Sequence, residues 1–132
     1  MIRLSRTDAL RLHGLHLLTR LALRMRKPLQ AKALVDRIGR RVLNLSNADE
    51  ARAAMMELFP RGTCLSRAMT IAAGTPDAEV VIGIDVWSSA RTTAHAWLQI
   101  GEVCVDTRPP GAGHLPDELT RLPPRATASA AV

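Results

Sequence analysis

Tyrosine is absent from this 132-residue chain, and its aromatic side chains are Phe59, Trp87 and Trp97 alone. A surface that stacks nucleobases on aromatic rings is therefore hard to assemble, and nucleic acid is not the expected partner. Cysteine is scarce as well. Cys64 and Cys104 are too few for a disulfide framework, which points to a reducing cytoplasm. No uninterrupted apolar run of about 18 residues exists for a membrane span. The apolar N-terminal stretch is broken by His13, His16, Arg20 and Arg24, so it does not read as a signal peptide either. Acidic residues are rare at the front: residues 1–45 hold eleven Lys and Arg against two acids, a net +9, whereas residues 46–132 carry −3. That asymmetry suggests an anionic partner for the basic third, although such charge also serves as a solvated face.

What the chain does have is apolar content of 47%, enough for one folded domain of this length. Ser5 and Asp8 have capping-box spacing ahead of Leu10, Leu15, Leu18, Leu21, Ala22 and Met25, which recur at mostly helical intervals. Pro28 closes that helix and fits the first turn of a second, striped by Leu34, Val35, Ile38, Val42 and Leu45. Ser46 or Asn47 caps a short third helix that stops at Pro60. A fourth begins around Cys64 and ends near Gly74.

After Pro76 the period changes. The stretch EVVIGIDVW (79–87) reads as a buried strand, and AHAWLQI and VCVDT follow it, separated by Gly101-Glu102. Gly-X between two apolar segments suits a two-residue type II′ hairpin. From Pro109 the chain is rich in Pro and Gly. The expected organisation is one domain over 1–122, with a basic helical part (1–45) and a core carrying the chemistry (60–110), then a flexible tail over 123–132. Helices first and a small antiparallel sheet after them make an α+β fold.

The hairpin register has a chemical consequence. With Gly101-Glu102 at the turn, Ile100 pairs with Val103, Gln99 with Cys104, Leu98 with Val105 and Trp97 with Asp106; His95 then lies opposite Arg108. Alternation puts Ala96, Leu98, Ile100, Val103 and Val105 on a core face. His95, Trp97, Gln99, Cys104 and Asp106 share the other face, with His95 and Asp106 as diagonal neighbours within side-chain reach. A carboxylate that orients an imidazole, and an imidazole that activates a nucleophile, form a familiar catalytic chain. Cys64 is the candidate nucleophile, because a helix N-terminus stabilises its thiolate. Gly62 allows close approach of substrate, and the Cys64 N–H is a candidate oxyanion donor. Cys104, in mid-strand, has neither advantage. Cys64, His95, Cys104 and Asp106 also permit a zinc reading, against which stands the missing C-x₂₋₄-C spacing of structural zinc. Arg67, one turn after Cys64, can steady a substrate carbonyl or pair with an acid. His13 and His16 share a helix face, where packing or solubility is the simpler role.

CLSRAM, EVVIGIDV, AHAWLQI and VCVD, in this order, resemble the lasso-peptide leader peptidases, a bacterial branch of the transglutaminase-like cysteine protease superfamily. The resemblance covers roughly residues 60–110. It implies a transglutaminase/papain-like core, a catalytic triad of Cys64, His95 and Asp106, and no cofactor or metal. The implied activity is removal of a leader from a ribosomally made precursor, freeing the core for an ATP-dependent macrolactam cyclase. The helical front third resembles the split form, which relies on a separate leader-recognition protein. A transglutaminase-like acyl transferase and a non-catalytic basic binding module are the alternatives.

Overall fold

The structure is a computed structural model and describes residues 3–85, 93–108 and 115–125. Four helices come first: α1 (Arg6–Met25), α2 (Pro28–Val42), α3 (Ala48–Leu58) and α4 (Cys64–Ala73). Four strands follow: β1 (Ala78–Asp85), β2 (Thr93–Ile100), β3 (Val103–Asp106) and β4 (Asp117–Leu122). The expected α+β class is what the chain adopts. Its helix ends carry the signals that the residues advertise. Ser5 Oγ accepts from the Asp8 N–H at 3.1 Å, Pro28 opens α2, and Asn47, rather than Ser46, caps α3.

The fourth helix is the centre of the molecule. Every residue from Ser66 to Ala73 is buried, and the three polar ones, Ser66, Arg67 and Thr70, are hydrogen-bonded within the protein. The other three helices pack around it, and the sheet closes the remaining side through Ala78, Val80, Ala96, Leu98 and Val105. Close approach of α2 to α4 depends on Gly39, where a Cβ would lie 2.5 Å from that of Ala73.

The sheet is antiparallel in the order β3-β2-β1-β4. The hairpin has the register expected of it: Trp97 with Asp106, Leu98 with Val105, Gln99 with Cys104 and Ile100 with Val103. Gly101 takes φ +59° while Glu102 does not take a positive φ, the type II′ pattern. Beyond Trp97–Asp106 the ladder stops, so the expected pairing of His95 with Arg108 does not form. Two members of the core face are also less covered than expected: Ile100 is half-buried and Val103 is exposed. On the opposite face Trp97 is buried and pairs with Val81. The first strand ends at Asp85, and Trp87 lies outside the described residues.

The strand β4 has no counterpart in the sequence reading. It pairs with β1 across a register shift at Ile82/Gly83, and of its residues only Leu122 is buried. Residues 126–132 of the expected tail lie outside the described residues. Arg125, at its start, donates to the Ala73 carbonyl at 3.0 Å, at the C-terminal end of α4.

Two glycine substitutions should move stability in opposite directions. Gly14 is helical and a Cβ there meets nothing within 4 Å, so Gly14→Ala should stabilise by up to about 1 kcal/mol. Gly39→Ala forces a methyl against Ala73 and should destabilise by about 1–3 kcal/mol. Urea unfolding followed by far-UV circular dichroism separates the two; equal shifts would contradict the packing of α2 on α4.

Candidate functional site

Pro60 follows α3, Gly62 turns the chain at φ +67°, and Thr63 caps the next helix, so that Cys64 is its first residue. The cap is reciprocal: Thr63 Oγ1 accepts from the Ser66 N–H at 3.1 Å, and Ser66 Oγ accepts from the Thr63 N–H at 2.9 Å. Cys64 is half-buried, with the His95 ring and the Ala96 and Leu65 amides about its sulfur. The His95 ring is the main cause that holds its thiol below the ordinary value; burial opposes it, and the two amides assist.

The end of β3 makes that arrangement available. Because the ladder stops at Asp106, the backbone groups of Ala96 on β2 have no strand partner on that side. Thr107 turns inward and its hydroxyl donates to the Ala96 carbonyl at 2.6 Å, while the Ala96 N–H helps to lower the Cys64 thiol.

His95 Nε2 donates to Asp106 Oδ1 at 2.9 Å, which leaves Nδ1 for Cys64. Burial alone would lower the His95 pKa, but the bonds to Cys64 and Asp106 outweigh it and raise the value. Burial likewise works against ionised Asp106, and the Arg108 side chain and N–H, together with His95, more than compensate. Arg108 reaches Asp106 Oδ2 through Nε at 3.1 Å and Nη2 at 2.9 Å. Trp97 stacks on the imidazole with centroids 5.9 Å apart. Its ring edge lies where a Cβ on Gly83 would stand, at 2.9 Å, so the missing side chain makes room for the stack. A lowered thiol beside a raised imidazole shifts the pair toward thiolate and imidazolium.

Of the three expected residues, His95 and Asp106 share a hydrogen bond and Cys64 lies on the other side of the imidazole, close enough for each to shift the other's pKa; Cys104 stands apart with its thiol pushed up by burial. Among the described residues no group of three or more His, Cys, Asp and Glu is placed to hold a metal ion.

Two further side chains steady the site. Arg67 is buried and, among the described residues, pairs with no acid. Its Nη1 donates to Arg61 O at 2.8 Å and its Nη2 to Thr107 O at 3.3 Å, with Phe59 5.1 Å from its Cζ. It therefore ties the loop before Cys64 to the residue after Asp106. His16, from α1, meets Ser66 Oγ at 2.9 Å, and Gly62 has no room for a Cβ because His16 and Ser66 would lie within 2.7 Å of it. The sequence marks His16 only as one of a pair on a face. Its actual partner is fifty residues away, whereas His13 bonds Glu57 on α3 at 3.1 Å.

A family model described as the transglutaminase-like superfamily matches residues 4–116. No curated protein and no solved structure matches the chain.

His16 provides a pH test of this packing. Burial first, then the charges of Arg20, Arg67, His13 and Arg61, hold its pKa at about 4, against 6.5 for the free side chain. The unfolded chain therefore takes up a proton below pH 6.5 that the folded chain refuses until about pH 4. The associated stability is complete above pH 6.5 and declines between these values by roughly 3 kcal/mol. Denaturation curves of wild type and His16→Asn between pH 7 and 4 should converge as the pH falls; parallel curves would remove His16 from the packed turn.

Proposed function

The chain belongs to the transglutaminase-like superfamily, and within it we propose a cysteine peptidase that removes the leader from a ribosomally made lasso-peptide precursor. The observation that carries the chemistry is the Cys64–His95–Asp106 row, with its thiol lowered and its imidazole raised. The substrate class rests on CLSRAM, AHAWLQI and VCVD, which resemble the leader peptidases. The leader peptide, a separate leader-recognition protein and the ATP-dependent macrolactam cyclase enter on that resemblance as partners. Two free thiols fit work in the cytoplasm. No helix among the described residues is long and apolar enough to cross a membrane.

In the proposed reaction the Cys64 thiolate attacks the scissile carbonyl, forming an S–C bond. The Cys64 N–H, first in its helix and so without an intrahelical acceptor, faces the developing oxyanion. The C–N bond then breaks as the His95 imidazolium gives its proton to the departing amine, which is the new N-terminus of the core. His95, neutral again, takes a proton from water as that water attacks the thioester. The leader leaves as a carboxylate and the thiol is restored. Asp106 keeps the imidazole turned toward Cys64 and stabilises its charged form. An acyl transferase would share every step up to the thioester and differ in accepting an amine in place of water. Product masses from a precursor incubated with and without a primary amine separate the two.

Cys64→Ala should abolish leader removal and leave the fold intact, while Cys104→Ala keeps most activity. The reverse pattern would overturn the assignment.

Asp106→Asn should lower turnover by roughly 10- to 10³-fold, less than the about 10⁴-fold loss in a serine protease, because a thiolate needs less help. Without the carboxylate the imidazolium is less stable, so the pH at which Cys64 reacts with iodoacetamide should rise. Glu102→Gln, at the hairpin turn, is the control. An Asp106→Asn protein with unchanged cleavage and an unmoved alkylation profile would leave Asp106 outside the site.

A further inference from the structure

The first helix has two apolar sides. Leu12, Leu15, His16, Thr19 and Ala22 face the core, yet Leu10, Leu17, Leu21 and Met25 stand in solvent, with exposures of 75%, 57%, 48% and 82%. Single exposed leucines need no explanation, but a row of them does. Leu10, Gly14, Leu17 and Leu21 follow a 4-3-4 spacing, which is the seam of a helix that pairs with another helix. Arg6, Arg20 and Arg24 flank the row on one side and Arg11 on the other, where seam-pairing helices carry the charges that select a partner. None of these four arginines makes a hydrogen bond or ion pair among the described residues. Asp8, the one acid of this helix, projects from its opposite side. Gly14, in the middle of the row, has nothing within 4 Å of where its Cβ would be, which opens a notch in the ridge at a cost in helix propensity.

We propose that this face of α1 docks an amphipathic helix of another protein, one whose apolar ridge is bordered by Asp and Glu. The row runs from Leu10 to Met25, about 22 Å at helical rise, so the partner helix needs about four turns. Its bulkiest ridge residue enters the notch at Gly14, and its carboxylates meet the four arginines. A second copy of this chain would set arginine against arginine. A lipid surface is less suited, because the face has no tryptophan or phenylalanine of the kind that anchors interfacial helices. The proposal does not depend on the reaction at Cys64.

The probe is a fluorescein-labelled three-heptad peptide with Leu at both seam positions and Glu at both flanking positions, titrated with the whole protein by anisotropy. A peptide with Lys in place of Glu is the control. The Glu peptide should bind saturably and the Lys peptide should not. Raising salt from about 50 to about 500 mM should weaken binding about tenfold or more. Leu17→Glu and the pair Arg6→Glu with Arg24→Glu should each cost about tenfold or more. Gly14→Ala should raise the melting temperature and still weaken binding, since the methyl fills the notch; that combination is not what general damage to the helix produces. Alkylation of Cys64 should be unchanged in every variant, so failure here is distinguishable from failure of the peptidase assignment. No binding by wild type, or undiminished binding by Leu17→Glu, would overturn the proposal. So would tighter binding to phosphatidylglycerol vesicles than to the peptide, or a dimer in solution that Leu17→Glu dissociates.

Discussion

Where β3 stops decides what the rest of the site can be. A strand inside a sheet spends its backbone groups on its neighbours, and groups left over must find other partners. Four residues of pairing bring Asp106 level with Trp97 and no further, so Ala96 keeps one carbonyl and one amide free on that side. The carbonyl takes the Thr107 hydroxyl, and the amide is left to act on the Cys64 thiol. One more ladder rung would claim both by ordinary pairing. The start of a helix and the end of a strand thereby share a single residue of backbone, and the imidazole between them is one position away.

Holding a helix end at that spot takes more than its own cap. Thr63 satisfies the Ser66 amide of α4 and Ser66 that of Thr63, but the approach of the chain into the cap is fixed from two other directions. Arg67 collects carbonyls from both sides of the site, and His16 presses on the turn from α1. Arg67 places a permanent cation near Cys64, and burial lowers the His16 pKa whereas Cys64 and Asp106 raise that of His95 against burial. Two histidines within one turn of the same helix end are therefore shifted in opposite directions. One holds its proton more tightly and the other is a wedge.

The parts legible in the sequence were those written in short-range periodicity. A glycine at the turn and strict alternation from Ala96 to Val105 were enough to set the hairpin register and to bring His95 to Asp106. Helix ends were legible for the same reason, since Ser5, Pro28 and Asn47 act within three residues of themselves. What escaped has no local pattern. The edge strand β4 is exposed along DELTRL and owes its form to the ladder with β1 rather than to an apolar face. Arg67 binds main-chain carbonyls, which every residue has, so no residue type announces them. The fifty residues between His16 and Ser66 carry no trace of their contact. The extension of the hairpin to His95 and Arg108 failed because alternation has no signal for where pairing ends; a buried threonine was the reason here.

The stack of Trp97 on His95 gives the protein an internal optical gauge. With no tyrosine in the chain and Trp87 as the only other indole, much of its near-ultraviolet signal comes from a ring lying against the imidazole. An indole face feels a charge that appears on its neighbour, so its emission follows the protonation of His95 without any label. The room that Gly83 leaves thus makes the charge state of the site visible to a fluorimeter.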